Sequence, residues 1–236
     1  MVLLGTIVNS ALIIAGAFLG RVLSNIPEKT KETVMGGIGL AVIVMGLQMG
    51  FESNNFLIVI LSIVFGAILG EFFKLEDQLN NLGLWLEKKL GKILKSGGSI
   101  SQGFVSATLI FVIGAMAILG ALDSGIRGNH DILFTKGILD GFTALILTTT
   151  LGLGVLFSAV PVFLYQGLIA LFATHINQMV PAALMDQFIT EMTATGGVMI
   201  LAIGLNMLGL TKIRVANLLP GILIVAIIVT LLHYMN

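Results

Sequence analysis

The chain has 236 residues, of which 57% are hydrophobic and only 10% charged, and its 12 basic and 12 acidic side chains leave no formal net charge at pH 7. A soluble domain carries about 25% charged residues because it must cover its surface with polar groups, so this composition predicts an all-α integral membrane protein. The charge balance gives no reason to expect nucleic acid as a partner, and the absence of cysteine excludes disulfides, thiolate metal sites and a cysteine nucleophile.

Apolar runs long enough to cross a hydrocarbon layer roughly 30 Å thick follow one another along the chain. They cover residues 2–20, 34–50, 56–73, 104–122, 132–174, 192–210 and 215–234. The run at 132–174 is too long for one crossing, and we predict two crossings there with a tight link near Ser158–Pro161. The pattern therefore predicts about eight transmembrane helices. Seven is the alternative, in which Gly152, Gly154 and Pro161 mark a broken or re-entrant segment.

Lysine and arginine cluster in the loops after the first, third and seventh predicted helices, and cytoplasmic loops are the ones that carry an excess of these residues. Eight crossings place all three loops on one side of the membrane, whereas a count of seven that merges the fifth and sixth helices does not. The charges therefore favour eight crossings, with both termini outside. The residues are Arg21, Lys29 and Lys31, then Lys74, Lys88, Lys89, Lys92 and Lys95, and finally Lys212 and Arg214.

The charged stretch 74–95 has leucines at helical spacing, with most of its charges elsewhere. This pattern predicts an amphipathic helix in the membrane interface, with its lysine-rich end near anionic lipid heads. A solvated linker is the alternative.

Two parts of the chain resemble each other. Residues 36–38 and 46–49 read Gly-Gly-Ile and Gly-Leu-Gln-Met, while 196–198 and 204–207 read Gly-Gly-Val and Gly-Leu-Asn-Met. With eight crossings these helices run in opposite directions, which predicts an inverted repeat, an architecture typical of secondary transporters. Coincidence among glycine-rich sequences is the alternative. We divide the single membrane domain, 1–236, into repeat A (about 1–73), the interfacial helix (74–95), central helices (103–150) and repeat B (about 155–236).

Glycines spaced four residues apart occur at 16 and 20, at 66 and 70, and at 137 and 141. This spacing puts both glycines on one side of a helix, so that a neighbouring backbone can approach closely. Glycine-rich faces also favour self-association, and we expect a homodimer. None of these glycines lies between a strand and a helix, which excludes a phosphate-binding loop.

Charged side chains at membrane depth are costly, about 2.5–3.5 kcal/mol on insertion scales, so each one suggests a function. Asp140 is the outstanding case, as a carboxylate that binds a cation or carries a proton. The alternative is a structural i,i+4 ion pair with Lys136. Thr148, Thr149 and Thr150 either line a path or, as we favour, bond back to carbonyls of their own helix.

Uncharged amides inside or near the apolar runs suit a zwitterion, a small neutral solute or a cation, although each alone is better explained as a contact between helices. The equivalent repeat positions make Gln48 and Asn206 the more interesting pair. For Arg21 and Glu71 we favour structural ion pairs at the inner face, and for Asp123 and Glu191 mouth or capping roles. The candidate binding residues are Asp140, Gln48, Asn206, Asn9, Thr149, Gln166 and Asn217.

Several motifs resemble the bacterial domain-of-unknown-function family 554, multi-pass membrane proteins often described as transporters. They are Lys136-Gly-Ile-Leu-Asp-Gly-Phe142, the stretch 151–167, Gly204-Leu-Asn-Met-Leu208 and Lys212-Ile-Arg-Val-Ala-Asn-Leu-Leu-Pro220. The resemblance runs from Gly5 to Pro220 and implies a bacterial cytoplasmic membrane, but no substrate. Leu122-Asp123-Ser124-Gly125 departs from the family pattern of an amide before an acid, which weakens Asp123 as a site.

The leading hypothesis is a secondary transporter of a small solute or ion, coupled to protons or Na⁺ through Asp140. A passive channel is the second hypothesis, and a membrane scaffold or regulatory protein without a transported solute is the third. We expect no enzyme, because zinc-protease, hydrolase-elbow and paired-aspartate motifs are missing. We expect no cofactor and no metal site, since His130, His175 and His233 lack ligand spacing. The expected partners are the lipid bilayer and the solute.

Overall fold

Ten α-helices make up most of the computed structural model, which describes residues 1–23, 27–94, 100–113 and 115–235. Within these ranges there is no strand, which confirms the all-α prediction. Short 3₁₀ segments cover Leu153–Ser158 and Val215–Leu218. The helices are α1 (Leu4–Val22), α2 (Glu28–Gly50), α3 (Phe56–Phe73), α4 (Leu75–Leu94), α5 (Ile100–Val112), α6 (Ala115–Ile126), α7 (Asp131–Leu151), α8 (Ala159–Met179), α9 (Ala182–Met207) and α10 (Pro220–Met235).

Six helical segments in the described part of the chain are long and apolar enough to cross a membrane, namely α1, α3, α7, α8, α9 and α10, where α8 and α10 include the 3₁₀ segments before them. A seventh candidate is the pair α5 and α6, which is bent by 61°. The apolar part of α2, Gly36–Gly50, is shorter than these spans. The structure thus supports a multi-span helical membrane protein, and the count of eight stays a prediction.

One predicted span is bent, and one predicted link is misplaced. The run 104–122 falls within two helices, since α5 ends at Val112 and α6 starts at Ala115. The link predicted near Ser158–Pro161 lies earlier, because α7 ends at Leu151 and Gly152 has a φ of 81°, a backbone conformation that favours glycine. Pro161 lies in the first turn of α8, where its missing N–H has no helical partner to lose.

The predicted amphipathic helix is confirmed as a helix, α4, which runs over Leu75–Leu94. Lys74 separates it from α3 by adopting the left-handed conformation, with φ 53° and ψ 46°. Leu84 and Trp85 are about half exposed, as an interfacial helix requires of its apolar side. Lys95 lies outside the described residues, and the interfacial placement of α4 stays a prediction.

The chain forms two compact units that are interleaved along the sequence. Unit 1 comprises Met1–Met35, Leu79–Val112 and Met116–Ile176, and so holds α1, α5, α7 and nearly all of α8. Unit 2 comprises Gly36–Gln78, Ile113–Ala115 and Asn177–Asn236, and so holds α3, α9, α10 and the apolar part of α2.

In unit 1, α1 and α7 run parallel and touch through backbone atoms. A Cβ placed on Gly16 would lie 2.0 Å from the carbonyl oxygen of Gly141, and one on Gly20 would lie 2.3 Å from that of Leu145. Near the other end of the pair, Gly5 faces Leu133. The predicted close approach at these paired glycines is therefore confirmed. Only glycine leaves room for it.

In unit 2, α2 and α9 run antiparallel, and their glycines face one another reciprocally. A Cβ on Gly46 would lie 2.7 Å from the oxygen of Gly197, and a Cβ on Gly197 would lie 2.7 Å from the oxygen of Gly46. Gly39 and Gly204 make a second such contact, with distances of 3.4 and 2.9 Å. Each helix therefore uses two glycines that are seven residues apart.

A second antiparallel pair in unit 2 joins α3 to α10. Gly66 packs on Gly221, and Gly70 packs on Asn217, whose carbonyl oxygen would lie 1.9 Å from a Cβ on Gly70. Residues 51–55 lead into the start of α3, whereas Asn217 and the chain just before it lie at the end of α3. The loops 51–55 and 208–214 are therefore at opposite ends of a helix about 27 Å long.

We expect Gly46→Ala to destabilise the protein by about 1–3 kcal/mol, because the new methyl group would overlap backbone atoms of Gly197 and Leu201. The matched control is Gly37→Ala in the same helix, where a Cβ meets nothing within 4 Å. Alanine has the higher helix propensity, so the control should be neutral or slightly stabilising. Thermal unfolding of detergent-purified protein measures both. Equal melting temperatures for the two variants would contradict the close contact.

Candidate functional site

A buried ion pair lies halfway along α7. Asp140 is the tenth of its 21 residues, about 13 Å from the start of the helix. The ammonium of Lys136 lies 2.9 Å from Oδ1 and 2.8 Å from Oδ2 of Asp140. The two residues are only 7% and 6% exposed. The i,i+4 pair predicted from the sequence is thus confirmed as a contact, in the middle of a helix that is long and apolar enough to cross a membrane.

Two further helices bring amides to this ion pair. Asn9 of α1 packs against Gly137, between the positions of the two charges, and its side chain also interacts with the Asp140 carboxylate. Its Nδ2 donates a 3.1 Å hydrogen bond to Oε1 of Gln166 in α8, and both amides are fully buried. The structure therefore brings together three candidates from distant parts of the sequence, Asp140, Asn9 and Gln166.

Several buried polar atoms on α1 and α8 have no hydrogen-bond partner: Thr6 Oγ1, Asn9 Oδ1 and Ser10 Oγ on α1, and Gln166 Nε2 on α8. Leaving such an atom buried and unsatisfied costs about 1–3 kcal/mol, so this arrangement is suited to a polar ligand that would satisfy them. We call Thr6, Asn9, Ser10, Lys136, Asp140 and Gln166 the unit 1 polar cluster.

The sequence analysis missed Thr6 and Ser10. Their signal was present, since residues three and four apart share a helix face and Thr6, Asn9 and Ser10 have these spacings. Both side chains are buried, at 0% and 7% exposure. Hydroxyl groups are common in membrane helices, so the spacing alone does not single these two out.

The three threonines at the end of α7 do not join the cluster. Thr149 Oγ1 donates to the carbonyl of Ile146 at 2.7 Å, and Thr150 Oγ1 donates to that of Leu147 at 3.0 Å. This is the back-bonding that the sequence favoured. Thr148 is buried against Gly20, and its hydroxyl has no hydrogen-bond partner.

Gln48 and Asn206 are not brought into one pocket. Because α2 and α9 are antiparallel, Gln48 is level with Gly197, nine residues or about 13 Å along α9 from Asn206. Gln48 is exposed. Asn206 holds the following loop, since its Nδ2 donates to Ile213 O at 2.7 Å and its Oδ1 accepts from Thr211 Oγ1 at 2.7 Å.

Asn217 and Glu71 belong to a polar junction at the end of α3. Asn217 accepts a 2.7 Å hydrogen bond from the backbone N–H of Glu76 and donates to the carboxylate of Glu71. Glu71 also pairs with Arg214, which confirms its predicted ion pair. Glu76 accepts from Ala216 N at 2.9 Å. This junction therefore attaches the 3₁₀ segment 215–218 to α3 and α4.

Glu191 of α9 is 1% exposed, and hydrogen-bond donors surround its buried carboxylate. Its carboxylate accepts hydrogen bonds from Ser53 Oγ at 2.6 Å and from the backbone N–H groups of Asn54 and Asn55 at 3.0 Å. Of the two predicted roles, mouth or capping, these contacts fit capping, but Glu191 lies inside α9 and its carboxylate binds the backbone that leads into α3, not the start of its own helix. Asp123 is paired with Arg127 one turn later.

Arg21, the other residue predicted to form an ion pair at the inner face, lies in the last turn of α1.

An apolar groove of about 240 Å³ runs between α1 and α7, lined by residues such as Leu19, Ile138 and Phe142. Its walls offer nothing to a polar ligand. Among the described residues there is no group of three or more His, Cys, Asp or Glu side chains that could hold a metal ion.

Comparison with known proteins gives the family. Residues 4–230 match the family described as "Protein of unknown function (DUF554)". The chain belongs to the DUF554 family. It is 33% identical over 234 residues to the "Uncharacterized membrane protein YdfK" of Bacillus subtilis (strain 168), covering 97% of this chain and 96% of that protein. It is 29% identical over 224 residues to the "Uncharacterized protein YqgA" of Escherichia coli (strain K12), covering 94% of each. No solved structure matches.

The resemblance seen in the sequence is thereby confirmed. In this DUF554 protein, the unit 1 polar cluster differs from the two junctions of unit 2 in one respect. The carboxylates of Glu71 and Glu191 receive hydrogen bonds from neighbouring side chains or backbone N–H groups, whereas the cluster keeps several buried atoms unsatisfied. The cluster is therefore the candidate functional site.

Removing one partner of the ion pair should be costly. We expect Lys136→Met to destabilise the DUF554 protein by about 3 kcal/mol, because Asp140 would remain buried without its counter-charge. The double variant Lys136→Met/Asp140→Leu should recover most of this loss, since no charge remains. Thermal unfolding in detergent compares them. A double variant as unstable as the single one would show that packing, not charge, dominates here.

Proposed function

We propose that this protein is a secondary transporter of a small solute or ion in a bacterial cytoplasmic membrane, and that the unit 1 polar cluster is its binding site. The observation that carries this proposal is a buried ion pair at mid-helix, in contact with an amide, Asn9, whose oxygen has no hydrogen-bond partner. Ionisable side chains inside membrane helices commonly mark ion and substrate pathways.

A scaffold would have no use for such a site. Side chains that only hold helices together in lipid are expected to be satisfied by one another, as the carboxylate of Glu191 is. Single unsatisfied hydroxyls also occur elsewhere, for example at Ser62, Thr193 and Thr195. In the described part of the chain only the unit 1 polar cluster combines such atoms with a buried ion pair, and a binding function accounts for that combination. We assign the protein no catalytic chemistry and no cofactor.

We also propose eight crossings, with both termini outside. When successive crossings alternate in direction, the first and fifth crossings (α1 and α7) are parallel. The second and seventh (α2 and α9), the third and eighth (α3 and α10), and the fifth and sixth (α7 and α8) are antiparallel. The glycine contacts support this order, since they make α1 parallel to α7, α2 antiparallel to α9, and α3 antiparallel to α10. Gln166 is level with Asn9 and Gly137, so α8 returns along α7, which supports two crossings there. The bent pair α5 and α6 forms the fourth crossing.

The inverted repeat has related support. The reciprocal glycine contacts support a local twofold relation between α2 and α9, in which Gly39 matches Gly197 and Gly46 matches Gly204. The match removes the two-residue length difference seen when Gly37 is aligned with Gly197. Each helix is followed by a loop and a further apolar helix. Inverted hairpins of this kind are common in secondary transporters. A homodimer stays a prediction that a detergent-corrected mass measurement checks.

Transport is tested with purified protein in liposomes on a solid-supported membrane. We expect one class among amino acids, organic acids and nucleobases to produce a saturable transient current under an imposed proton or Na⁺ gradient. Asp140→Asn should abolish this current because it removes the coupling charge. The control is Glu71→Gln, which removes a carboxylate whose side chain is 59% exposed; it should retain the current.

The absence of a transient current with the whole panel, from protein that is reconstituted and folded, would contradict the proposal. A steady, non-saturating conductance would identify a channel instead.

A further inference from the structure

We infer that the unit 1 polar cluster is a site for Na⁺. The ammonium group of Lys136 competes with the ion and takes its place beside Asp140 when no Na⁺ is bound. This inference rests on the proposed function for its role in transport, but ion binding is measured independently of transport.

The donor atoms have the chemistry that a hard cation prefers. Besides the Asp140 carboxylate, the cluster has three unpartnered oxygens, Thr6 Oγ1, Asn9 Oδ1 and Ser10 Oγ. Its one unpartnered nitrogen, Gln166 Nε2, is a donor and is not a ligand for a cation. Hard cations take carboxylate, amide and hydroxyl oxygens as ligands, whereas soft metals select sulfur and nitrogen. Each side chain is more than nine-tenths buried, so a bound ion would be held away from water.

Charge favours a monovalent ion. The cluster has a single carboxylate, Asp140, which one Na⁺ would neutralise. A divalent ion would leave a net positive charge at mid-helix, where uncompensated charge is strongly disfavoured. Outside the cluster, no group of three acidic or imidazole side chains occurs among the described residues to supply a divalent site.

Lys136 already occupies the position of a cation. Its Nζ lies within 2.9 Å of both carboxylate oxygens, and its side chain is only 9% exposed. An ammonium and a sodium ion cannot occupy the same position beside Asp140 at once. Binding of Na⁺ therefore requires the ammonium to leave, and its return expels the ion.

The Lys136 side chain can move its ammonium group away from Asp140. Lys136 is the sixth residue of α7, about 7 Å along the axis from the start of the helix. Its four-carbon stem is long enough to extend the charge to the membrane surface, as lysines near helix ends do. In both states Asp140 keeps one positive partner, so the exchange avoids an unpaired charge at mid-depth.

The experiment measures the melting temperature of the detergent-purified full chain in NaCl, KCl and choline chloride at equal ionic strength. A ligand that binds only the folded state raises the melting temperature in proportion to its occupancy. We expect Na⁺ to raise it above the choline value in the wild-type protein, and Asp140→Asn to abolish the difference because the charged ligand is lost.

Lys136→Gln tests the competitor. If Lys136 fills the site for nine-tenths of the time, its removal should increase the apparent Na⁺ affinity about tenfold. Lys136→Arg keeps a tethered cation and should keep the affinity low. Glu71→Gln should respond to Na⁺ as the wild type does. If Lys136→Gln does not fold, the comparison of wild type with Asp140→Asn decides the matter.

Equal melting temperatures in all three salts would overturn the inference, and so would a Na⁺ response that persists in Asp140→Asn. The outcome is separable from that of the transport assay. A Na⁺-specific shift without solute currents would establish the ion site and contradict the transporter. Currents without a Na⁺-specific shift would support the transporter and reject Na⁺ as the ligand of this cluster.

Discussion

Close backbone contact at glycine is the constraint on which both units depend. In lipid, apolar side chains gain little from leaving their solvent, so helices associate by packing and by polar contacts. In unit 1, Gly16 and Gly141 let α1 approach α7, and in unit 2, Gly46 and Gly197 let α2 approach α9. The same contacts set the direction of each helix pair, because they align residues along both axes.

This packing also determines where the polar groups meet. The Cα of Asn9 would lie only 3.0 Å from a Cβ on Gly137, and this closeness places the amide beside the ion pair of α7. The low dielectric around the cluster strengthens each contact that is made and penalises each one that is missing. The unsatisfied amide oxygen of Asn9 beside a paired charge fits a site whose occupant changes, because a permanent contact would use it.

Local features of the sequence predicted much of this structure. The bounds of α3, Phe56–Phe73, match the predicted apolar run, and the Lys136–Asp140 pair follows from helical spacing. The sequence could not predict that Asn9 meets Gln166, 157 residues away, because many amides are available and only packing selects the pair. The same holds for the partner of Glu71. We predicted the link between α7 and α8 too far along the chain, near Pro161, because proline usually interrupts a helix. In the structure the break is at Gly152, and Pro161 is tolerated in the first turn of α8.

The opposite directions of the helices in unit 2 can be measured directly from the two ends of α3. The chain has no cysteine, so Glu52→Cys and Lys212→Cys can each be labelled with an impermeant maleimide in intact cells and in inverted vesicles. Glu52 lies in the loop that leads into α3, and Lys212 lies in the loop by its other end. We expect the Cys at position 52 to react only from outside and the Cys at position 212 only from the cytoplasmic side. Labelling of both from the same side would contradict this arrangement.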